Sequence, residues 1–385
     1  MTASYHRNLD IFSLLKQKSH FLFGPRSTGK TTLYETQLTD FRLYDPLDDE
    51  TYLRLFKRPK LIEEENLAKP QWIVIDEIQK LPKLLDEVHH LIKKYDWTFL
   101  LTGSSARKLK KGGANRLGGR AWESHLYPLT SVEIPNFNLL KFLNRGGLPF
   151  IYDSLNYQKD LKNYINIYLK EEIIAEALVK NYDYFMNFLD VIALSNGHEI
   201  NFESIARDAG VPPRTVLNYV QVLEDTLMCH QLKPFKKTKS RKATSKSKLY
   251  LFDIGVANHL AKRGEIQKGG ELFGPVFEHF IINEIKTFLS YNQIELELSF
   301  WRTTDQLEID CIIGNEIAIE IKSSTLVNHS HCKAMKTIIE EKIFKRHIVV
   351  SQDPNRRVLE KTIEVIPWKE FLLDLWNRKI VIEKS

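Results

Sequence analysis

Cysteine is scarce. Cys229, Cys311 and Cys332 are the only three in 385 residues, too few and too far apart for a disulfide framework or a paired-cysteine zinc site. A reducing compartment suits such a chain. No apolar run approaches the ~18 residues that span a bilayer, and the opening MTASYHRNLD has no signal-peptide core. A soluble, cytoplasmic protein without a membrane partner is therefore expected. There is no excess of glycine or proline. The hydrophobic content of 43% and charged content of 27% lie near the globular average, which excludes wholesale disorder and collagen-like repeats. At roughly 150 residues per domain the length predicts two or three domains.

Two stretches lack acid. Arg107 to Arg120 holds six basic residues and Lys233 to Lys248 holds eight, with no Asp or Glu in either; against a net +6 they leave −8 on the rest of the chain.

What is present divides the chain into regions. HFLFG, FRLYD, WIVID and WTFLLTG are short strand-like runs separated by helical spacing, as in Leu81 to Tyr95, the pattern of an α/β domain with a parallel sheet over residues 1–145. GGLPF then makes a turn, followed by a helical connector over 146–182. A helix from Phe202, a turn at Gly210 and a helix opened by Pro213 form a helix-turn-helix, and the strands flanking the second basic tract complete a winged-helix pattern over 183–262. Asp253 suits the N-cap of the helix that follows. Residues 263–385 return to α/β, with a helix over Pro275 to Leu289 and a closing amphipathic helix at Trp368 to Trp376.

Gly24, Pro25, Arg26, Ser27, Thr28, Gly29, Lys30, Thr31 and Thr32 contain a complete GxxxxGK[ST] between an apolar strand and a helix. In that context backbone N–H groups cradle phosphate, Lys30 reaches the β and γ phosphates of ATP or GTP, and Thr31 can ligate Mg²⁺. Four apolar residues place Asp76 at the end of a buried strand as the second Mg²⁺ group, and Glu77 follows to polarise water. Thr102 or Ser104 is placed to sense the γ-phosphate. Arg107, Arg116 and Arg120 are arginine-finger candidates, in cis or from a neighbouring copy in a homo-oligomer; Arg120 is preferred because Gly118 and Gly119 let the backbone approach.

FLFGPRSTGKTTL, WIVIDEIQKLPKLLDEV, FLLTGSSARKLKKGGANRLGGRA and GGLP, with YLKEEI, IARDAGVPPRTVLNYVQVLED, KLYLFDIGVANHL and ELFGPVFEHFIINEI, resemble a large family of bacterial and archaeal AAA-superfamily ATPases. The resemblance covers nearly the whole chain. It implies an ATPase, and a C-terminal domain similar to the restriction-endonuclease-like fold whose biological role is open.

The C-terminal pattern carries its own argument. LEIDCIIGNEIAIEIK reads as a hairpin. A three-residue loop sets Asp310 opposite Glu320, with Glu308, Asp310, Ile312, Ala318, Glu320 and Lys322 on one face and the remaining isoleucines and Cys311 on the other; a one-residue slip mixes the faces. Asp310, Glu320 and Lys322 then have the spacing of the PD-(D/E)xK nuclease core, two carboxylates for Mg²⁺ and a lysine to activate water. Glu278 on the preceding helix supplies a further acid. A solvated charged face is the other reading. His329, His331 and Cys332 suit zinc less well than a polar loop. Arg214 and Asn218 on the second helix of the helix-turn-helix, with Lys236, Lys237, Lys239, Arg241 and Lys242 on the wing, are the candidate contacts to DNA. The expected protein is a Mg²⁺-dependent ATPase acting on DNA through these modules; the alternative is an ATP-gated switch or scaffold whose last domain binds without cutting.

Overall fold

The computed structural model describes residues 5–67, 70–105, 107, 117–169, 182–238 and 243–381. Five parallel strands form the first sheet: β1 (Ser19–Phe23), β2 (Phe41–Tyr44), β3 (Trp72–Ile75), β4 (Phe99–Gly103) and β5 (Ala121–His125), in the order β2-β3-β4-β1-β5. The first four are the runs expected from sequence; β5, largely polar, is not legible there. Side chains alternate between two buried layers. Phe21, Phe23, Ile73, Ile75, Phe99 and Leu101 face one, while Leu22, Val74 and Leu100 face the other, as in a parallel sheet covered on both faces. Helices α1 (Lys30–Gln37) and α2 (Leu84–Tyr95) are among the crossover elements.

The middle region holds α3 (Phe202–Ala209), which ends at Gly210 with φ +70°, and α4 (Pro213–Asp225), with proline in its first turn. Asn201 caps α3 by accepting from Ser204 N at 3.1 Å, so the helix-turn-helix closes on the residues that predict it. Strands β6 (Cys229–Pro234) and β7 (Lys248–Leu251) pair antiparallel after it. Asp253 caps α5 (Ile254–Leu260), accepting from Val256 N.

β6 does not end with this module. It pairs in parallel with β8 (Leu298–Arg302), so an eight-stranded sheet, β12-β13-β11-β10-β9-β8-β6-β7, crosses the boundary expected at residue 262. Its other members are β9 (Glu308–Ile313), β10 (Ile317–Ile321), β11 (Arg346–Ser351), β12 (Arg357–Leu359) and β13 (Ile363–Pro367). Helix α6 (Phe273–Tyr291) lies across one face, and α7 (Trp368–Trp376) packs beside it. Phe277, Phe280, Ile281, Ile285 and Phe288 of α6 bury with Cys311, Ile313, Ile319 and Ile348 of the sheet.

No described helix is long and apolar enough to cross a membrane.

Candidate nucleotide site and C-terminal acidic centre

The phosphate loop follows β1. Gly24 is required by its neighbours: a Cβ there would lie 2.4 Å from the Leu126 carbonyl oxygen. Ser27 and Gly29 take φ +65° and +95°, turning successive backbone N–H groups toward the N-terminus of α1. Lys30 is buried, its Nζ donating to the Gly24 carbonyl at 2.8 Å and to that of Pro25 at 3.4 Å.

β3 lies one strand away from β1, across β4, and brings Asp76 to the same end of the sheet. Thr31 Oγ1 stands 3.4 Å from Asp76 Oδ2 and the Tyr34 hydroxyl 3.2 Å from the same oxygen. Thr102 on β4 donates to Asp76 Oδ1. Burial and the Asp76 charge push the Tyr34 hydroxyl pKa up. Thr31 and Asp76 present the hard oxygens that a Mg²⁺ ion requires. Glu77 follows with φ +47°, an uncommon conformation for this residue type that turns its side chain away from β3.

Gln79 is a residue that sequence reasoning missed. Its Nε2 donates to Glu77 and, at 3.1 Å, to Ser104 Oγ, joining the ends of β3 and β4. DEIQK contains the signal, but a glutamine has no motif role until its partners are known. Of the two candidates for sensing the γ-phosphate, Thr102 gives its hydroxyl proton to Asp76, while the Ser104 hydroxyl accepts from Gln79 and keeps its own proton to donate.

Residues 26–32, Asp76 and Glu77 line a cavity of about 620 Å³, with Tyr5, Leu47 and Phe150 also on its wall. Phe150 lies in the short helix Pro149–Tyr152 that opens after Gly146 and Gly147, and Asp253 holds the turn before it by accepting from Gly147 N at 2.7 Å. Tyr164 donates to the Arg26 carbonyl at 3.1 Å. Arg7, unmarked in the sequence, donates to the Thr28 carbonyl at 2.6 Å.

Arg120 is a correction. It precedes Ala121, which pairs with Ser19 at the start of β1, whereas the phosphate loop follows Phe23, opposite His125. At about 3.3 Å per residue this leaves Arg120 roughly 17 Å from the loop, at the opposite end of the sheet. It cannot serve as a finger within its own chain. Arg107 is drawn toward α4, with Nε 3.9 Å from Asp225, and Arg116 lies outside the described residues.

The C-terminal hairpin has the three-residue loop expected: Ile317 pairs with Ile313 and Ile319 with Cys311, which sets Asp310 in register with Glu320. Its faces are as expected except at Ile309: Cys311, Ile313, Ile317, Ile319 and Ile321 share one core layer, and Ile312 and Ala318 lie in the other. Ile309 pairs with Trp301 and Ile312 with Ser299, so Asp310 and Cys311 oppose the single Phe300 in a bulge. Ile309 thereby joins Ile312 and Ala318 in one core layer. A bulge of this kind re-aims side chains beside it.

Glu278 from α6, Glu308 and Asp310 offer carboxylate oxygens all within 4.8 Å of one another, a spacing that suits a divalent ion. Glu308 joins this group, and Glu320, expected as a ligand beside Asp310, pairs with Lys322 at 2.5 Å alongside. The other Glu320 oxygen is buried without a partner. Burial, then the Glu278 and Glu320 charges, lift the Asp310 pKa; burial lifts that of Glu320 to about 7 against the pull of Lys322.

Lys248 corrects the reading of the basic tract. It is 3% exposed, and its Nζ pairs with Glu278 at 3.0 Å and with Glu308. The tract is not a free wing either: Phe235 is buried, and Thr244 N donates to the Arg302 carbonyl at 2.9 Å. Lys236 and Lys237 are exposed, but they share a cleft with Glu295, Glu297 and Glu316. Lys239, Arg241 and Lys242 lie outside the described residues. On α4, Arg214 and Asn218 are exposed as expected, and Leu217 beside them is 49% exposed. His331 Nδ1 accepts from Asn328 N and His329 pairs with Glu360, closing a local helical turn.

Strand order, phosphate loop and the acid at the end of β3 define an AAA-type P-loop ATPase domain. Residues 16–134 match the model of the AAA domain, residues 136–267 that of a domain of unknown function (DUF8612), and residues 273–371 that of another (DUF4143). An uncharacterized protein of Mycobacterium tuberculosis is 24% identical over 370 residues, covering 91% of this chain and 80% of that protein. An uncharacterized protein of Methanocaldococcus jannaschii is 24% identical over 412 residues, covering 94% and 90%. Among solved structures, the Aeropyrum pernix ORC1 protein in complex with DNA shares 15% identity over 68% of this chain and 94% of that one, at a TM-score of 0.28. The replication initiator DnaA bound to AMPPCP and single-stranded DNA shares 13% over 56% and 87%, at 0.29. Scores this low carry no argument about arrangement or partners.

Proposed function

We propose that this protein is a Mg²⁺-dependent ATPase whose nucleotide state is coupled to a helix-turn-helix module and a C-terminal acidic centre acting on DNA. The observation that carries the reading is the meeting of Lys30, Thr31, Asp76 and Glu77 around one cavity at the carboxyl end of the sheet. The loop N–H groups and Lys30 hold the triphosphate, Thr31 and Asp76 hold Mg²⁺, which offsets phosphate charge when bound, and Glu77 takes the proton of the attacking water. Arg120 acts as a finger only from a neighbouring copy. Lys30→Ala should abolish ATP turnover and weaken nucleotide binding; unchanged turnover would remove the claim.

In the last domain, Glu278, Glu308 and Asp310 suit a divalent ion, and Lys322 stands beside Glu320 to orient water for phosphodiester cleavage. A second reading, a switch that binds DNA or protein without cutting, is favoured by one observation: Lys248 already neutralises part of this centre. Mn²⁺-dependent cleavage of plasmid and single-stranded DNA, lost in Asp310→Ala, would decide for the nuclease. Absence of cleavage in the intact chain would decide for the switch.

A further inference from the structure

The C-terminal centre holds more carboxyl groups than ammonium groups. Glu278, Glu308, Asp310 and Glu320 face Lys248 and Lys322, while Arg302, 3.4 Å from Glu308, is shared with Glu199 at 3.8 Å. Four carboxyl groups thus share two ammonium groups, and retained protons or a further cation must make up the balance. One acceptor there, Glu320 Oε2, is buried and has no hydrogen-bond partner. Leaving a buried acceptor without a partner is costly, so this atom calls for one further partner, a proton or a cation.

Lys248 occupies a particular place in this cluster. Two of the three carboxylates that lie within 4.8 Å of one another, Glu278 and Glu308, are the two that its ammonium contacts. Tyr250 donates to the same Glu278 oxygen at 2.6 Å, and the Phe300 ring stands 5.5 Å from Lys248 Nζ. A metal held by the Glu278 and Glu308 oxygens that this ammonium contacts would compete with it for them. The stem is four carbons long and flexible, and Lys248 is the first residue of β7, so the head group can leave without the sheet coming apart.

We propose that Lys248 is a tethered cation occupying the divalent-ion position of the C-terminal centre, so that a metal is bound by Glu278, Glu308 and Asp310 only after the lysine ammonium has left them. The proposal rests on reading this centre as metal-binding. It supplies that reading with a gate: the resting centre is neutralised from within, and a metal must compete with a side chain of the same chain.

The test is Mn²⁺ binding to the nucleotide-free full chain, followed by the paramagnetic resonance of the free ion and by the Mn²⁺-induced rise in thermal midpoint. All proteins carry Asp76→Asn to remove the Mn²⁺ group of the nucleotide site. Lys248→Met and Lys248→Gln should each bind Mn²⁺ roughly 5- to 150-fold more tightly than the parent, the range of ordinary coupling energies, and gain a larger thermal shift. Glu278→Gln added to either should return both readouts to background. If Lys248→Met does not fold without metal, Lys248→Gln, which retains a donor for Glu278, carries the comparison. Equal affinity in parent and Lys248 variants overturns the gate alone. No Mn²⁺ bound above the Glu278→Gln background in any protein overturns the metal reading beneath it as well.

Discussion

Arg7 Nη2 donates to the Tyr291 hydroxyl at 2.9 Å, while Nη1 of the same guanidinium donates to the Thr28 carbonyl at 2.6 Å. One buried side chain thus ties the phosphate loop to the end of α6, the helix that carries Glu278. Its Nε pairs with Glu133 at 3.1 Å, and both partners are buried. Arg7→Ala strands the Glu133 carboxylate in the interior and should cost about 3–5 kcal/mol, together with a loss of ATP affinity as the Thr28 carbonyl loses its donor. Tyr291→Phe unpairs only Tyr127 N and one Arg7 N–H, about 1–3 kcal/mol, and should leave ATP affinity unchanged. Thermal unfolding and nucleotide titration separate the two. Equal losses of affinity would show that Arg7 serves the junction alone.

Glu77 and Gln79 should divide between chemistry and positioning. Glu77→Gln is expected to lower turnover by about 10²–10⁴-fold with little change in nucleotide affinity, as for loss of a general base. Gln79→Ala releases Glu77 and Ser104 without removing the base, so its loss should be smaller and its pH–rate profile should move. Gly103→Ala offers an independent check, since its Cβ would lie 2.3 Å from Gln79 Oε1 and push the same side chain away. Wild-type turnover in Gly103→Ala would sink the positioning role.

The nucleotide site was legible because it is local: GPRSTGKT and WIVIDE each declare an element and its end, and strand order only has to bring two ends together. Arg120 failed for the opposite reason. Proximity in sequence to WTFLLTG suggested proximity in space, but the chain returns to the amino end of the sheet before entering β5. The C-terminal hairpin lies between these cases. Alternation of isoleucine and acid determined its register, while the bulge at Asp310 depends on β8, a strand whose pairing no local pattern reveals. Lys248 was misread because a cation at the edge of a basic tract looks solvated until a distant helix brings Glu278 to it. Arg7 and Tyr34 carry no local signal either, and that of Gln79 is readable only through its partners; their roles come from contacts with other elements.

Glu284 should make stability depend on pH. Burial raises its pKa to about 7 from the ordinary 4.5, although it accepts from Ser131 N and Trp376 Nε1. With the folded value above the unfolded one, the folded chain binds this proton more tightly. The contribution is therefore full below about pH 4.5, declines as pH rises through about 7 and is absent above, a span worth roughly 3 kcal/mol. Glu284→Gln cannot ionise, so the thermal midpoint of that variant should fall less between about pH 5 and 8 than that of the parent. Identical slopes would place the titration elsewhere.

The DNA reading can be tested through salt. Arg214 and Asn218 are exposed on α4, and Lys236 and Lys237 are exposed beside it in sequence, but the two pairs sit in different surroundings. Near the lysines, Glu295, Glu297 and Glu316 line the same cleft, and Lys237 Nζ is 3.1 Å from Asn315 Oδ1. A polyanion approaching that cleft meets three carboxylates, whereas Arg214 projects from the first turn of its helix, the position from which base edges and phosphates are reached. Arg214→Ala should therefore weaken duplex binding and lower the slope of log affinity against log salt by about 1. Lys236→Ala and Lys237→Ala should change the slope less. Fluorescence anisotropy with a labelled duplex at several salt concentrations measures both. A slope unaffected by Arg214→Ala but reduced by the lysine changes would place the phosphates on the β6–β7 loop, and no salt-dependent binding in any protein would remove DNA as the partner.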